Sequence, residues 1–341
     1  MVSYLNVHVV LEARRTQAKQ DRSAYGPKVL IAGGCDVGKS TLARILLSYG
    51  ARVGSGVTYA DIDVGQNSIT VPGALAAVHV SKPFDVETGL GASKAPLTYF
   101  FGHTSPSANL ALYRKQVDVL AAELSRHLAS KPEARASGIL VNTCGWTDGD
   151  GYELLLHAIR AFKIDVVLVI DHERLFNDIK TAPFAQKVEC IKLRKSGGVL
   201  PRDPETRRAD RQRAVREYFY GGNGELHPHS TVMNFGVMKV CRVGGGPQAP
   251  ATALPIGAER LLDETAVAVI EPSKDLAHTL CALSYGGEPE TALAANVAGF
   301  VLVTHVDEES KRCHLMTPCA GRLPSVLFLV SDVQSMGIDA K

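Results

Sequence analysis

From residue 26 onward the chain alternates short, almost wholly apolar runs with longer stretches whose apolar residues recur every three or four positions. The runs at 28–33 (KVLIAG), 57–64 (VTYADIDV), 95–102 (APLTYFFG), 138–145 (GILVNTCG) and 165–171 (DVVLVID) are short and nearly continuous in apolar residues. They predict strands covered on both faces. Helical periodicity lies between several of them, at 39–49, 107–130 and 151–162. Such alternation builds a mostly parallel sheet with helices on both sides, and its ligands bind beyond the carboxyl ends of the strands. Ahead of this pattern, residues 11–22 (LEARRTQAKQDR) predict a charged lead-in helix that stops at Gly26-Pro27. After Gly221-Gly222-Asn223-Gly224 the pattern changes to short strands (STVMNFGVMKVCRV, AGFVLVTHV, SVLFLVSDV), one helix around 274–284 and Gly/Pro-rich loops such as VGGGPQAP. The expected organisation is a lead-in helix and linker over 1–25, an α/β domain over 26–222 and a small β-rich C-terminal domain over 223–341.

The first chemistry-bearing motif lies where the first strand meets the first helix. GGCDVGKS, from Gly33 through Gly34, Cys35, Asp36, Val37, Gly38 and Lys39 to Ser40, fits G-x-x-x-x-G-K-[ST]. Glycines let the backbone wrap phosphates, and the loop amides and helix N-terminus favour negative charge. In that pattern Lys39 reaches the β- and γ-phosphates, and Ser40 offers its hydroxyl to Mg2+. A strand before and a helix after make this a nucleoside triphosphate site in a P-loop NTPase domain. Next, YADIDVGQ (59–66) carries Asp61 and Asp63 in alternation, with Asp63 nearer the tip and followed by Gly65-Gln66. A carboxylate there orients or deprotonates an attacking hydroxyl; a structural Asp capping a turn is the competing reading. GTPases use D-x-x-G and a guanine-reading N-K-x-D, whereas this chain reads D-V-G and NTCGW.

Two further stretches end strands in polar turns. In TYFFGHTSPSANLALY (98–113), Thr104 or Ser105 is placed either to touch phosphate or to cap the following helix. VNTCGWTDGDGY (141–152) sets the only tryptophan, Trp146, among Gly, Thr and Asp, a setting suited to stacking on a nucleobase. His103, His227 and His229 lack acidic or cysteine partners at metal-like spacing, which argues against zinc.

Composition changes this picture in three places. Apolar residues make up 45% of the 341 and charged residues 21%, as in an ordinary globular chain, and no apolar run approaches the roughly 20 residues of a membrane helix. Seven cysteines without a C-x-x-C pair argue against a disulfide framework and fit a reducing compartment. The net charge of +2 is uneven: residues 187–216 hold ten Lys and Arg against four Asp and Glu. A basic block is a solvated face unless a phosphate site lies nearby.

Taken in order and spacing, GGCDVGKST, DIDVGQ, FFGHTSP, NTCGW, DHERLFNDI, KSGGV and REYFYG resemble the RNA 5′-hydroxyl kinases of the mRNA cleavage and polyadenylation machinery, the Clp family. The resemblance runs over nearly the whole chain. It implies a P-loop domain followed by a small C-terminal domain. It also implies use of ATP and Mg2+ to phosphorylate the 5′-hydroxyl of RNA, and in some members of DNA. Lys39, Ser40 and Thr41 match the family's phosphate loop, Asp63 the carboxylate that activates the 5′-hydroxyl, and Gln66 its companion near the metal, so that Ser40, Asp63 and Gln66 form the implied metal set. Thr104 falls on the clasp that grips the substrate's phosphate and Trp146 on the ring that stacks a terminal base. Arg202 and Arg207 fall on the mobile lid, here residues 194–217.

The resemblance further implies a nuclear protein, no membrane, and partners among the subunits of the cleavage and polyadenylation complex and the tRNA splicing endonuclease. Two departures stand out. Members usually carry an N-terminal β-domain that helps hold the adenine, and this chain begins where that domain would end. Gly34-Cys35 also stands where Pro-Thr is common. A second reading is an ATP-binding scaffold subunit of the same complex that does not turn ATP over; Asp63 speaks for the enzyme, because a scaffold needs no base. A third, a P-loop ATPase acting on protein or a small molecule, is disfavoured by Trp146 and the basic lid.

Overall fold

The computed structural model describes residues 2–21, 23–85, 87–90, 96–183, 185–244 and 263–335. The described chain falls into two units: Met1–Val71, Leu75–Leu97 and Val117–Arg211 form one, and Pro72–Ala74, Thr98–Gln116 and Gln212–Lys341 the other. The division therefore crosses the sequence several times.

Seven strands form the first sheet: β1 (Lys28–Gly33), β2 (Val57–Asp61), β3 (Ala74–Val80), β4 (Leu97–Phe100), β5 (Ile139–Asn142), β6 (Val166–Ile170) and β7 (Glu189–Leu193), in the order β4-β3-β2-β5-β1-β6-β7. The pairs β2–β5, β5–β1, β1–β6 and β6–β7 are parallel, and β3 runs antiparallel to β2. Every residue of β2, β5 and β6 is buried, which is why these segments read as continuous apolar runs. The helices are α1 (Val2–Gln20), α2 (Lys39–Arg52), α3 (Leu110–Ser130), α4 (Pro132–Ser137), α5 (Asp150–Ala161), α6 (Glu173–Thr181) and α7 (Pro204–Tyr220).

The core of this unit gathers Ile31, Leu42, Leu46, Tyr59, Leu140 and Leu168, joined by Tyr4, Val7 and Leu11 of α1. The lead-in helix is longer than the charged segment predicts, because its first half supplies that apolar stripe. Arg15, 2% exposed, donates to the Ser137 carbonyl at 3.0 Å and to Glu12 at 3.1 Å, so its buried charge is both paired and hydrogen-bonded.

The second sheet contains β8 (His229–Asn234), β9 (Lys239–Val243), β10 (Val267–Ile270), β11 (Thr279–Ser284), β12 (Val297–Asp307), β13 (Arg312–Thr317) and β14 (Leu327–Gln334), in the order β10-β9-β14-β11-β12-β13-β8. All its pairings are antiparallel except β14–β9. Val240, Cys281, Leu283, Val301, Leu315 and Phe328 form its core. The helix expected around 274–284 is not there. A single 3-10 turn at Lys274–Leu276 precedes the fully buried strand β11. Leu and Ala favour a helix locally, but ladders on both sides and burial on both faces decide for the strand. β3 and β7 were not anticipated, and residues 245–250 of the VGGGPQAP loop lie outside the described set.

Candidate active site

The phosphate loop leaves β1 at Gly33 and enters α2 at Lys39. Gly38 has φ +91 and precedes α2 with no side-chain cap, so the first amides of a 14-residue helix are unclaimed by any side chain at this cap. That is the arrangement an anion seeks. A Cβ built on Gly34 meets nothing within 4 Å, so the loop is open at this point. Val37 is buried, Cys35 is exposed, and Thr41 is exposed in the first turn of α2. Lys39 is only 7% exposed and donates from Nζ to the carbonyls of Gly33 (3.0 Å) and Gly34 (2.7 Å). Burial lowers its pKa, against the opposing pull of Asp63.

Beyond the ends of β2 and β5 lies a polar cluster in which Asp61 and Asp63 have separate tasks. Asp61 is fully buried and accepts from Tyr59 Oη, the Ser68 amide and hydroxyl, the Asp63 amide and Asn142 Nδ2, at 2.6–3.1 Å. It holds the turn together. Among the described residues, Asp63 accepts at Oδ1 alone, from the amides of Gly65 (3.0 Å) and Gln66 (3.1 Å). Burial, and then the Asp61 charge, push its carboxyl up to about 6, with Lys39 and the two amides pulling the other way. A carboxylate with that affinity for a proton suits a general base near neutral pH.

Asn142 is the residue that sequence reasoning missed. It ends β5, beside β1, and its amide donates to Asp61 at 3.0 Å and to Ser40 Oγ at 3.3 Å. It thereby ties the hydroxyl of the phosphate loop to the acidic turn. Its place at the tip of a buried strand next to the phosphate loop was the available signal. Two buried polar atoms nearby, Asn142 Oδ1 and Gln66 Nε2, have no hydrogen-bond partner among the described residues. Orphaned buried groups beside Ser40 and Asp63 fit a hydrated divalent cation and a triphosphate. With so few carboxylates, the ion's ligands would be mainly phosphate and water, as Mg2+ prefers.

Both lid arginines meet the loop at one side chain. Asp36 accepts from the Arg202 amide (2.9 Å), Arg202 Nε (3.2 Å) and Arg207 Nη2 (2.7 Å). Its burial raises the carboxyl's pKa, yet these donors outweigh that and leave it below the usual carboxylate range.

Trp146 is half-buried on the loop after β5. Its indole lies so close over Gly151 that a Cβ there would come within 2.4 Å of the ring. The neighbouring Gly145 abuts Cys35 of the phosphate loop, whose Sγ is 3.7 Å from the Gly145 carbonyl. His172 caps α6, accepting the Leu175 amide at Nδ1, so its proton sits on Nε2, facing Thr147 Oγ1 at 3.3 Å. That link steadies the tryptophan's loop. Gly33–Thr41, Asp63, Gln66, Arg202 and Arg207 are thus gathered around one loop, with the Trp146 loop adjoining. Thr104 stands in the other unit, half-buried after β4, while Ser105 caps the turn Pro106–Ala108. His103 pairs with Asp332 within that unit.

Comparison with known proteins identifies the family. The family described as "mRNA cleavage and polyadenylation factor CLP1 P-loop" matches residues 33–221, and "Pre-mRNA cleavage complex II protein Clp1" matches 226–336. The chain is 43% identical to the Protein CLP1 homolog of Arabidopsis thaliana over 340 residues, covering 98% of this chain and 76% of that protein. It is 42% identical to the polyribonucleotide 5′-hydroxyl-kinase Clp1 of Xenopus tropicalis (99% and 77% covered) and 39% identical to that of Homo sapiens (99% and 79%). A solved structure of the wild-type Clp1p–Pcf11p complex shares the fold, with a TM-score of 0.82 at 22% identity over 98% of this chain and 79% of that one. With both family descriptions matched along its length and relatives at this identity, the chain belongs to the Clp1 family.

Proposed function

We propose that this chain is an ATP- and Mg2+-dependent polynucleotide kinase that transfers the γ-phosphoryl group to the 5′-hydroxyl of RNA. The observation that carries the reading is Asp63, a half-buried carboxyl raised to about 6, hydrogen-bonded on one oxygen among the described residues and electrostatically coupled to Lys39. The relatives named polyribonucleotide 5′-hydroxyl kinases, at about 40% identity, support it.

In this mechanism Lys39 leaves the Gly33 and Gly34 carbonyls for the β- and γ-phosphates, which the loop amides and the N-terminus of α2 cradle. Trp146 stacks on the terminal base, and the substrate-phosphate contact that the family resemblance implies falls to Thr104 of the other unit. Asp63 takes the hydroxyl proton as the new O–P bond forms, the bond to the β-phosphate oxygen breaks, and ADP departs. Arg202 and Arg207 offset charge on the migrating group. Ser40, Asp63 and Gln66 would hold Mg2+, with Asn142 orienting Ser40, and the ion would supply charge neutralisation for the transferred group. The proposal extends to a nuclear role in mRNA 3′-end processing, with protein subunits of the cleavage machinery as partners, and to tRNA splicing.

The test is phosphate transfer from labelled ATP to 5′-hydroxyl RNA and DNA oligonucleotides, with and without Mg2+. Asp63→Asn should bind ATP nearly as wild type yet transfer phosphate at least about a hundredfold more slowly, within the 10²–10⁴ that general-base help contributes. Equal turnover in the two proteins would remove Asp63 as the base, and no transfer by wild type would leave the second reading, an ATP-binding scaffold.

A further inference from the structure

Phosphate loops hold their ligand through backbone amides, so the side chain at position 36 has no set task there. In this chain it has a specific one. Three donors from the lid converge on the Asp36 carboxylate: the Arg202 amide at 2.9 Å, Arg202 Nε at 3.2 Å and Arg207 Nη2 at 2.7 Å. The carboxylate side chain is 9% exposed, whereas the arginines are 42% and 33% exposed. Isolated surface ion pairs contribute little. A largely buried carboxylate that also binds a lid backbone amide is a different object, because it fixes where the lid chain runs.

Two further observations point the same way. Asp36 adopts φ 52, a left-handed conformation that residues other than Gly, Asn and Asp seldom take. At the end of the loop, Val199 of the lid lies against Gly38, where a Cβ would come within 3.0 Å of its Cγ2. The lid is thus fastened to the loop by charge at one point and by close packing two residues later. Arg202 also reaches Asp210 of α7 at 3.0 Å, which carries the fastening into the lid helix.

From this geometry we propose that Asp36 is a positioning residue: it docks Arg202 and Arg207 on the phosphate loop before nucleotide binds, so that both guanidinium groups are already beside the phosphates when the lid works. The inference rests on the proposed phosphoryl transfer for its catalytic consequence, but the docking itself can be read without any turnover. Docking before binding removes the cost of ordering two long side chains and a loop during the reaction. It also accounts for a negative charge in a loop built for anions, since two guanidinium groups offset it.

The experiment compares wild type with Asp36→Asn, which tolerates the left-handed backbone and keeps an acceptor but loses the charge. Amide hydrogen exchange of residues 199–207 in the nucleotide-free protein should speed up at least tenfold, while exchange within α2 stays as in wild type. Turnover should fall about 10- to 100-fold with the KM for ATP within threefold, the split expected of a group that preorganises without binding. In an Arg202→Ala/Arg207→Ala background, Asp36→Asn should change lid exchange far less than in wild type, because only the contact from the residue 202 amide is left for it to weaken. Unaltered lid exchange in Asp36→Asn would overturn the proposal. So would normal turnover with a KM raised more than tenfold, which would make Asp36 part of the ATP cradle. If Asp36→Asn lowers the melting temperature of the whole protein, Asp36→Gly, equally at ease at φ 52, gives the same exchange comparison. A wild type that transfers no phosphate but shows the exchange difference would refute the proposed function and leave the docking standing.

Discussion

The two sheets have the same number of strands and opposite uses. In the first, β1, β2 and β5 run parallel, so Gly33, Asp61 and Asn142 all arrive at one rim. The second is antiparallel but for one pairing, so the carboxyl ends of its strands are divided between two rims. Burial has different consequences for a thiol and for a carboxyl group. It raises the Cys281 and Cys313 thiols to about 12 and about 11, which keeps them neutral packing groups. At Asp63 the same penalty, set against Lys39 and two amides, leaves a carboxyl at about 6. Burial alone makes a thiol inert, while burial with one-sided hydrogen bonding makes a base.

The largest test of this contrast is in the second sheet. Phe328 is fully buried, and Phe328→Ala should cost about 3–5 kcal/mol in urea unfolding. Nucleotide affinity of the protein that remains folded should stay within twofold; a large loss would erase the separation of roles. Next comes Asn142→Ala, which cuts the link between Ser40 and Asp61. Titration with a fluorescent nucleotide should show Mg2+-dependent affinity about 10- to 100-fold weaker, the usual effect of losing a group that orients a metal ligand. Affinity without metal should change little.

A smaller effect concerns Asp63 in metal- and nucleotide-free protein. Its folded pKa of about 6 lies above the roughly 3.9 of an unfolded Asp, so its stabilising contribution is complete below about pH 4 and is lost as pH rises through 6. Asp63→Asn should flatten that part of the melting-temperature profile and, at pH 7.5, stabilise the protein by about 1–2 kcal/mol, partial exposure trimming the full linkage value. A variant no more stable than wild type at pH 7.5 would mean that the site tolerates the ionised form without penalty. The smallest effect belongs to the half-exposed edge of the second sheet, where Val232→Thr should stay within about 0.5 kcal/mol.

The sequence was readable wherever one neighbourhood decided the outcome. β1, β2, β5 and β6 declared themselves because burial on both faces keeps them almost wholly apolar up to the polar residues at their ends. The phosphate loop did so because its glycines and Lys39 are contiguous. β3 (ALAAVHV) did not, since three alanines carry little strand preference and its partner β2 decides it. β11 was misread because Thr279–Ser284 has helix-forming Leu and Ala, and only the flanking ladders make it a strand. In the sequence Asp63 differs from Asp61 only by its place nearer the tip; the structure adds that Asp61 is occupied by five hydrogen bonds and Asp63 by two. Asn142 is one amide among many until Ser40 and Asp61 are seen to share it. The Asp36 contacts span 166 and 171 positions, beyond any local pattern.

The interleaving of the two units bears on how the chain is made. Residues Thr98–Gln116 emerge from the ribosome early, yet their partners come late: Asn109 donates to the Glu264 carbonyl, Gln116 to the Leu293 carbonyl, and Asn296 accepts the Thr98 amide. At about 5–20 residues per second, the wait is on the order of ten seconds or more. Throughout it Phe101, Leu112 and Tyr113, all buried in the finished protein, have no native cover from Gln212–Lys341. Cutting the gene at residue 212 would make that wait permanent, and Gln212–Lys341 expressed alone, without Thr98–Gln116, is expected to be a client of chaperones rather than a free-standing domain.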